Sequence, residues 1–202
     1  MPIIDLSFML QGDTVPLNHG YSLFSAVSRL VPDMHNQESI GIHPIRGIRN
    51  APGVLSIIPQ SRLRLRIESE KIGDFLTLAG SQLNLNGHLL DIGIPRSESL
   101  SPATNLASRM VTIKGMMEPE KLLESAKRQL IDLQISGTPE LVISGASSTP
   151  PAPIRRVLRI QNRTVVGFAL HVNGLTAEES IKLQEIGLGG RRHMGCGIFV
   201  PY

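Results

Sequence analysis

Gly187-Leu188-Gly189-Gly190-Arg191-Arg192-His193-Met194-Gly195-Cys196-Gly197-Ile198-Phe199-Val200 sets five glycines and three potentially cationic side chains between a helical pattern and an apolar strand. Glycine adopts φ > 0 and lets backbone N–H groups come close to a phosphate, and the forked donors of Arg191 and Arg192 suit phosphate oxygens. A helix C-cap accounts for Gly187 and Gly189 but not for the remaining three glycines. The stretch reads as a polyanion cradle, and its place behind an ordered series of elements decides the fold.

Working back from it, Thr176 starts a helix with Glu179 at the capping-box spacing. Residues 155–160 and 164–172 form a hairpin turning at Asn162. The strongest helix spans 118–133, where Leu122, Leu123, Ala126, Leu130 and Leu133 share a face, and residues 107–114 form the strand before it. Residues 145–153, rich in Ser, Pro and Ala, are expected to protrude or to be poorly ordered. Ahead of the Ser- and Pro-rich segment 95–102 the same order is found. A strand over 2–10 precedes a helix over 21–30, strands over 53–58 and 62–67, a short helix over 70–78 and a strand over 89–94 reached by a turn at Asn86-Gly87. Two successive βαββαβ units predict an α+β chain of two tandem ferredoxin-like (RRM-like) domains, residues 1–100 and 101–202.

Lys+Arg number 20 against 17 Asp+Glu, so a net charge of +3 does not by itself demand a nucleic acid partner. The arginines are nevertheless clustered, at Arg46 and Arg49, at Arg62, Arg64 and Arg66, at Arg155, Arg156 and Arg159, and at Arg191 and Arg192. Clustering of this kind favours localised phosphate contacts. Aromatic residues make up 3% of the chain, so the core must be aliphatic and base stacking has little to work with. The single cysteine, Cys196, excludes an internal disulfide and a cysteine-rich zinc module. Residues 1–10 lack a basic leader and carry Asp5, and no apolar run reaches the length of a membrane span. A soluble cytoplasmic protein without a membrane partner, metal or cofactor is expected.

Gly187-Leu188-Gly189 and Gly195-Cys196-Gly197, five residues apart at the end of tandem ferredoxin-like units, resemble the glycine loop of the RAMP superfamily of CRISPR-associated RNA-binding proteins. Asn18-His19-Gly20-Tyr21 looks like the Asn-His-x-Tyr element of the repeat-processing endoribonucleases, the CRISPR-associated protein six family. Gly41-Ile42-His43-Pro44-Ile45-Arg46-Gly47 resembles a myxobacterial-type subgroup of it. The resemblance implies a metal-independent endoribonuclease that binds a CRISPR repeat stem-loop and cuts the precursor transcript into guide RNAs. The ribose 2′-hydroxyl attacks the adjacent phosphate, leaving a 2′,3′-cyclic phosphate and a 5′-hydroxyl. Other subunits of an effector complex, or a second copy of the chain, are further partners it allows. The alternative is a non-catalytic RNA-binding scaffold subunit of such a complex.

That chemistry needs a base, an acid and cations beside the phosphate. His43 lies where a catalytic histidine of the family stands, just beyond the first helix, and His35 in the same connection is its partner or its rival. His19 and Tyr21 match the family element but suit holding the helix start equally well. A tyrosine within the first helix of some members is replaced here near Ser28, and Arg46 or Arg49 takes the place of a catalytic lysine as a fixed cation. Arg62, Arg64 and Arg66 alternate with Leu63, Leu65 and Ile67, so one strand face carries three cations for RNA. Arg46, Arg155, Arg156, Gly189, Gly190, Arg191, Arg192 and His193 complete the expected RNA-binding set.

Overall fold

Residues 2–37, 39–145 and 150–202 are described by a computed structural model, with the side chains of His35 and Asn36 also outside the description. The chain divides into two compact units, Met1–Ser99 with His193–Gly195, and Leu100–Arg192 with Cys196–Tyr202.

The first unit contains β1 (Ile3–Gln11), β2 (Thr14–Pro16), α1 (Gly20–Leu30), β3 (Gly41–Ile42), β4 (Ile48–Ala51), β5 (Val54–Ser56), β6 (Arg62–Glu68), α2 (Ile72–Phe75), β7 (Gln82–Leu85) and β8 (His88–Ser99). Its main sheet has the order β3-β6-β1-β8-β7 with antiparallel neighbours throughout. With β1, β3, β6 and β8 as strands one to four, the order 2-3-1-4 is ferredoxin-like, and β7 is an added hairpin strand. Ile4, Leu6, Phe8 and Leu10 alternate onto the face that packs with Leu23, Ala26 and Val27 of α1, as the period of two requires. The opposite face is polar, yet Asp5 and Ser7 are buried on it.

Three expectations need correction here. The second strand of the main sheet is β3, two residues long and too short for periodicity to register, whereas expected strand 53–58 contains β5 of a small side sheet, β2-β5-β4. Strand β8 runs on through Pro95 to Ser99. β7 pairs only with its first four residues, so Pro95 stands where the strand has an open edge and its missing N–H costs no ladder bond. The helix over 70–78 is broken into a 3₁₀ turn, the four residues of α2 and a second 3₁₀ turn.

The second unit contains β9 (Asn105–Val111), α3 (Pro119–Asp132), β10 (Thr138–Leu141), β11 (Arg155–Ile160), β12 (Arg163–Asn173), α4 (Ala177–Ile186) and β13 (Val200–Pro201). The order β10-β12-β9-β13 is again 2-3-1-4, with β11 paired to the outer part of β12. Here too the second strand is one the pattern hid, because Pro139 interrupts β10, and the hairpin strand β11 is the addition. Leu106, Val111, Ala126, Leu130, Leu170, Leu183 and Phe199 form an aliphatic core with one aromatic ring. Thr176 and Glu179 make the expected reciprocal cap, Glu179 N–H donating to Thr176 Oγ1 at 3.2 Å and Thr176 N–H to Glu179 Oε2 at 2.9 Å. Residues 146–149 of the expected protruding loop lie outside the described residues, and its stem is closed by Ser144 N–H donating to the Ala152 carbonyl at 2.8 Å. No described helix is long and apolar enough to cross a membrane.

The glycine loop folds back against β9. Gly190 N–H donates to the Thr112 carbonyl at 2.9 Å, Gly197 N–H to the Met110 carbonyl at 2.8 Å and Leu188 N–H to the Gly197 carbonyl at 3.3 Å. At Gly197, φ is +66° and an added Cβ would lie well inside contact distance of the Leu188 carbonyl oxygen; at Gly190 a Cβ meets nothing within 4 Å. Gly197→Ala is therefore expected to destabilise the protein by about 2–4 kcal/mol, through left-handed backbone strain plus crowding. Gly190→Ala should stay within about 0.5 kcal/mol of wild type. Urea unfolding of both variants checks the difference, and equal midpoints would show that crowding at the loop is not what requires glycine.

Candidate active site

β6 pairs with β1 on one side and β3 on the other, and the registers place Arg66 opposite both Asp5 and Gly41. The chain continues from β3 in extended form, His43 N–H donating to the Arg64 carbonyl at 2.9 Å, so His43 emerges two residues beyond Gly41 on the polar face. There its Nε2 lies 3.2 Å from Asp5 Oδ1. Arg66 grips the same carboxylate with both arms, Nε donating to Oδ1 at 2.8 Å and a terminal nitrogen to Oδ2 at 2.9 Å. All three groups are buried, Arg66 to 1% exposure.

An ionised carboxylate only accepts, so His43 Nε2 carries the hydrogen, and in the neutral ring Nδ1 is then the basic nitrogen. Nδ1 makes no hydrogen bond among the described residues, and 11% of the side chain remains exposed. Burial works to raise the Asp5 carboxyl, but the hydrogen bonds and charges of His43 and Arg66 outweigh it and hold the group well below the ordinary carboxylate range. For His43 burial is the larger influence and lowers its affinity for a proton despite Asp5, with Arg66 and Arg64 acting in the same direction as burial. A neutral imidazole with an open lone pair is equipped to take a proton.

The other candidate histidines are held differently. His19 Nδ1–H donates to the Pro16 carbonyl at 2.8 Å while Nε2 accepts from Ile45 N–H at 2.9 Å, so both nitrogens are engaged and the ring ties the start of α1 to the segment just past His43. His193 donates from Nε2 to the Gln37 carbonyl at 2.7 Å and lies 5.3 Å, centroid to centroid, from Phe24. Tyr21 is half-buried in the first turn of α1. The side chain of His35 lies outside the described residues.

The arginine row of β6 is not a row of cations presented to solvent. Arg62 donates to the carbonyls of Pro59 and Ser61 at 2.6 and 2.8 Å, Arg64 pairs with Glu98 at 3.1 Å, and Arg66 is the buried counter-ion of Asp5. Arg192 also turns inward, buried with its guanidinium donating to the Ile186 carbonyl at the end of α4. Such a contact offsets the partial negative charge of a helix C-terminus. In the loop the amides of Leu188, Gly190 and Gly197 donate to backbone carbonyls and that of Gly189 to Gln129 Oε1 at 2.8 Å, so these four do not form a ready phosphate nest. Arg46, Arg49, Arg155, Arg156 and Arg191 are exposed.

Arg109 on β9 escaped the sequence reading because it stands apart from the arginine clusters. Arg109 is exposed, desolvation and then the like charge of Arg156 lower the proton affinity of its guanidinium, and Arg109 and Arg191 both act on Cys196, so these three arginines gather on the second unit. Burial pushes the Cys196 thiol up to about 11, which leaves it protonated and excludes a thiolate nucleophile at neutral pH.

A family model described as Cas6, Cas6 Crispr, matches residues 4–202. The CRISPR-associated endonuclease Cas6 of Myxococcus xanthus (strain DK1622) is 39% identical over 201 residues, an alignment that spans 100% of this chain and 82% of that protein. Among solved structures, a Cas6-related protein from Pyrococcus furiosus is similar with a TM-score of 0.69 at 12% identity, covering 98% of this chain and 97% of that one. A CRISPR associated protein Cas6 is similar with a TM-score of 0.67 at 14% identity, covering 99% of each. At such low identity the two structures speak for the fold alone, a pair of tandem ferredoxin-like domains. A family pattern that runs from Ile4 to the last residue, together with a relative sharing 39% of positions over the whole chain, shows that this chain belongs to the Cas6 family.

Proposed function

We propose that this chain is a metal-independent endoribonuclease that binds CRISPR repeat RNA and cuts the precursor transcript into guide RNAs, with His43 as the group that takes the proton from the attacking 2′-hydroxyl. The observation that supports it is the His43 ring itself, with one nitrogen held by Asp5 and the other open, in a chain of the Cas6 family. Loss of the 2′ proton makes that oxygen a nucleophile. It bonds to the neighbouring phosphorus, the bond to the 5′ oxygen breaks, and a 2′,3′-cyclic phosphate and a 5′-hydroxyl result. DNA lacks the attacking group and is not a substrate. His35, on its sequence position, is our candidate for returning a proton to the leaving oxygen.

Phosphate contacts fall to the exposed arginines Arg46, Arg49, Arg155, Arg156 and Arg191, joined by Arg109. Arginine stays charged throughout and so stabilises charge without exchanging protons. A scaffold role without cutting is not favoured, since the relative that matches the whole chain is an endonuclease.

Cleavage of repeat RNA is expected to proceed in excess EDTA and to stop when the nucleotide 5′ to the cut carries a 2′-deoxyribose; cutting of the deoxy substrate would rule out 2′-hydroxyl attack. His43→Ala should slow single-turnover cleavage roughly 10²–10⁴-fold while leaving RNA affinity unchanged. Because burial lowers the proton affinity of His43, its basic form persists in mild acid, and the acid limb of the cleavage rate should lie below the ordinary histidine value of about 6.5. A limb at or above that value in a pH–rate profile would assign the titration to another group.

A further inference from the structure

The Asp5 carboxylate does not touch the reacting atoms in the reaction proposed above, yet it is buried and held by both Arg66 and His43. Burying an acid costs several kcal/mol unless it is paired, and replacing such a pair with apolar residues is often neutral or stabilising, so stability alone is weak grounds for its presence. Arg66 occupies Oδ2 and one side of Oδ1, which leaves Oδ1 a single direction in which to accept again. His43 Nε2 fills it. Arg66 thus orients Asp5, and Asp5 orients the imidazole.

We infer that Asp5 is a positioning residue for RNA cleavage, which holds His43 with the hydrogen on Nε2 and the Nδ1 lone pair facing the substrate. The inference rests on the assignment of His43 as the proton acceptor. The 2′-hydroxyl proton passes to Nδ1 as the 2′-oxygen bonds to phosphorus, and the ring becomes an imidazolium whose new charge Asp5 stabilises across the Nε2–H bond. The P–O5′ bond breaks, and the 5′ oxygen takes a proton from an acid or from water. No electrons are exchanged with a further reactant. His43 is thereby a base with a defined reacting nitrogen.

The charged groups around the ring act in known directions. Asp5 on β1 favours the protonated ring, and Arg66 and Arg64 on β6 oppose it. On β8, Glu98 pairs with Arg64, and Arg96 lies opposite Ser7. Removing the Asp5 charge therefore lowers the proton affinity of His43 further.

Asp5→Asn tests this, because the amide keeps the shape but offers either a donor or a weaker acceptor to Nε2. With repeat RNA as substrate, single-turnover cleavage should fall roughly 10²-fold or more. Affinity for an uncleavable 2′-deoxy repeat should stay unchanged, and the acid limb of the residual rate should move to lower pH. A purely structural Asp5 moves neither limb nor rate once the variant is folded, and wild-type cleavage with a wild-type profile overturns the inference. Because Asn leaves the Arg66 charge unpaired and folding of the variant can suffer, ¹⁵N-histidine NMR of the unmodified protein provides an independent check. A neutral His43 protonated at Nε2 supports the inference, and one protonated at Nδ1 overturns it. His43→Ala separates the two levels. Retained cutting in that variant removes the base assignment itself, whereas lost cutting beside a fully active Asp5→Asn removes only the role of Asp5.

Discussion

A single buried ion pair sets the geometry of the first unit. Asp5 and Arg66 face each other across β1 and β6, each with almost no access to water. Separating them would leave an uncompensated charge in the interior, at a cost of roughly 3–5 kcal/mol. A slip of one residue in this register would turn Arg66 toward the side occupied by Leu65 and Ile67 and expose aliphatic side chains in exchange. The pair therefore specifies how β1 and β6 align, and β6 in turn carries β3. The position of His43 is inherited from that alignment, through its amide bond to Arg64 and its ring contact with Asp5.

The positive charge of the chain does two kinds of work. Arg62, Arg64, Arg66 and Arg192 satisfy carbonyls and carboxylates inside their own units. The exposed arginines are a separate population, among them Arg46, Arg49, Arg109, Arg155, Arg156 and Arg191. A mild net charge is consistent with this division, since only the second group is available to a polyanion. The glycine loop divides in the same way. At Gly187, Gly189 and Gly197 a Cβ would collide with carbonyl oxygens of the loop itself or of Thr112, and Arg191 is exposed beside them.

Histidine chemistry is separated by partners as well. Pro16 and Ile45 engage both nitrogens of His19, so that ring is a strut between α1 and the segment following His43. His43 has one nitrogen held and one open. Two histidines of the same unit thus differ in capacity for proton transfer because of neighbours, with no difference in their intrinsic chemistry.

Much of the architecture was legible without coordinates. Alternation in β1 and β6, the apolar faces of α1 and α3 and the Thr176 cap arise from local period and local hydrogen bonding, which a sequence records directly. Two-residue β3 and the Pro139-interrupted β10 were not legible, because each is a strand only by virtue of the neighbour it pairs with. The same limit applied to the site. Sequence alone singled out His43 and clustered arginines, but Asp5 looked like a stray acid in an apolar strand and Arg66 like one cation of three. Register brought residues 5, 43 and 66 together, and long-range pairing of this kind leaves no local pattern. What the sequence determined was the inventory of elements and reactive groups; the tertiary structure decided which cations face solvent and which imidazole nitrogen can accept a proton, because burial and hydrogen-bond partners exist only once the strands are aligned.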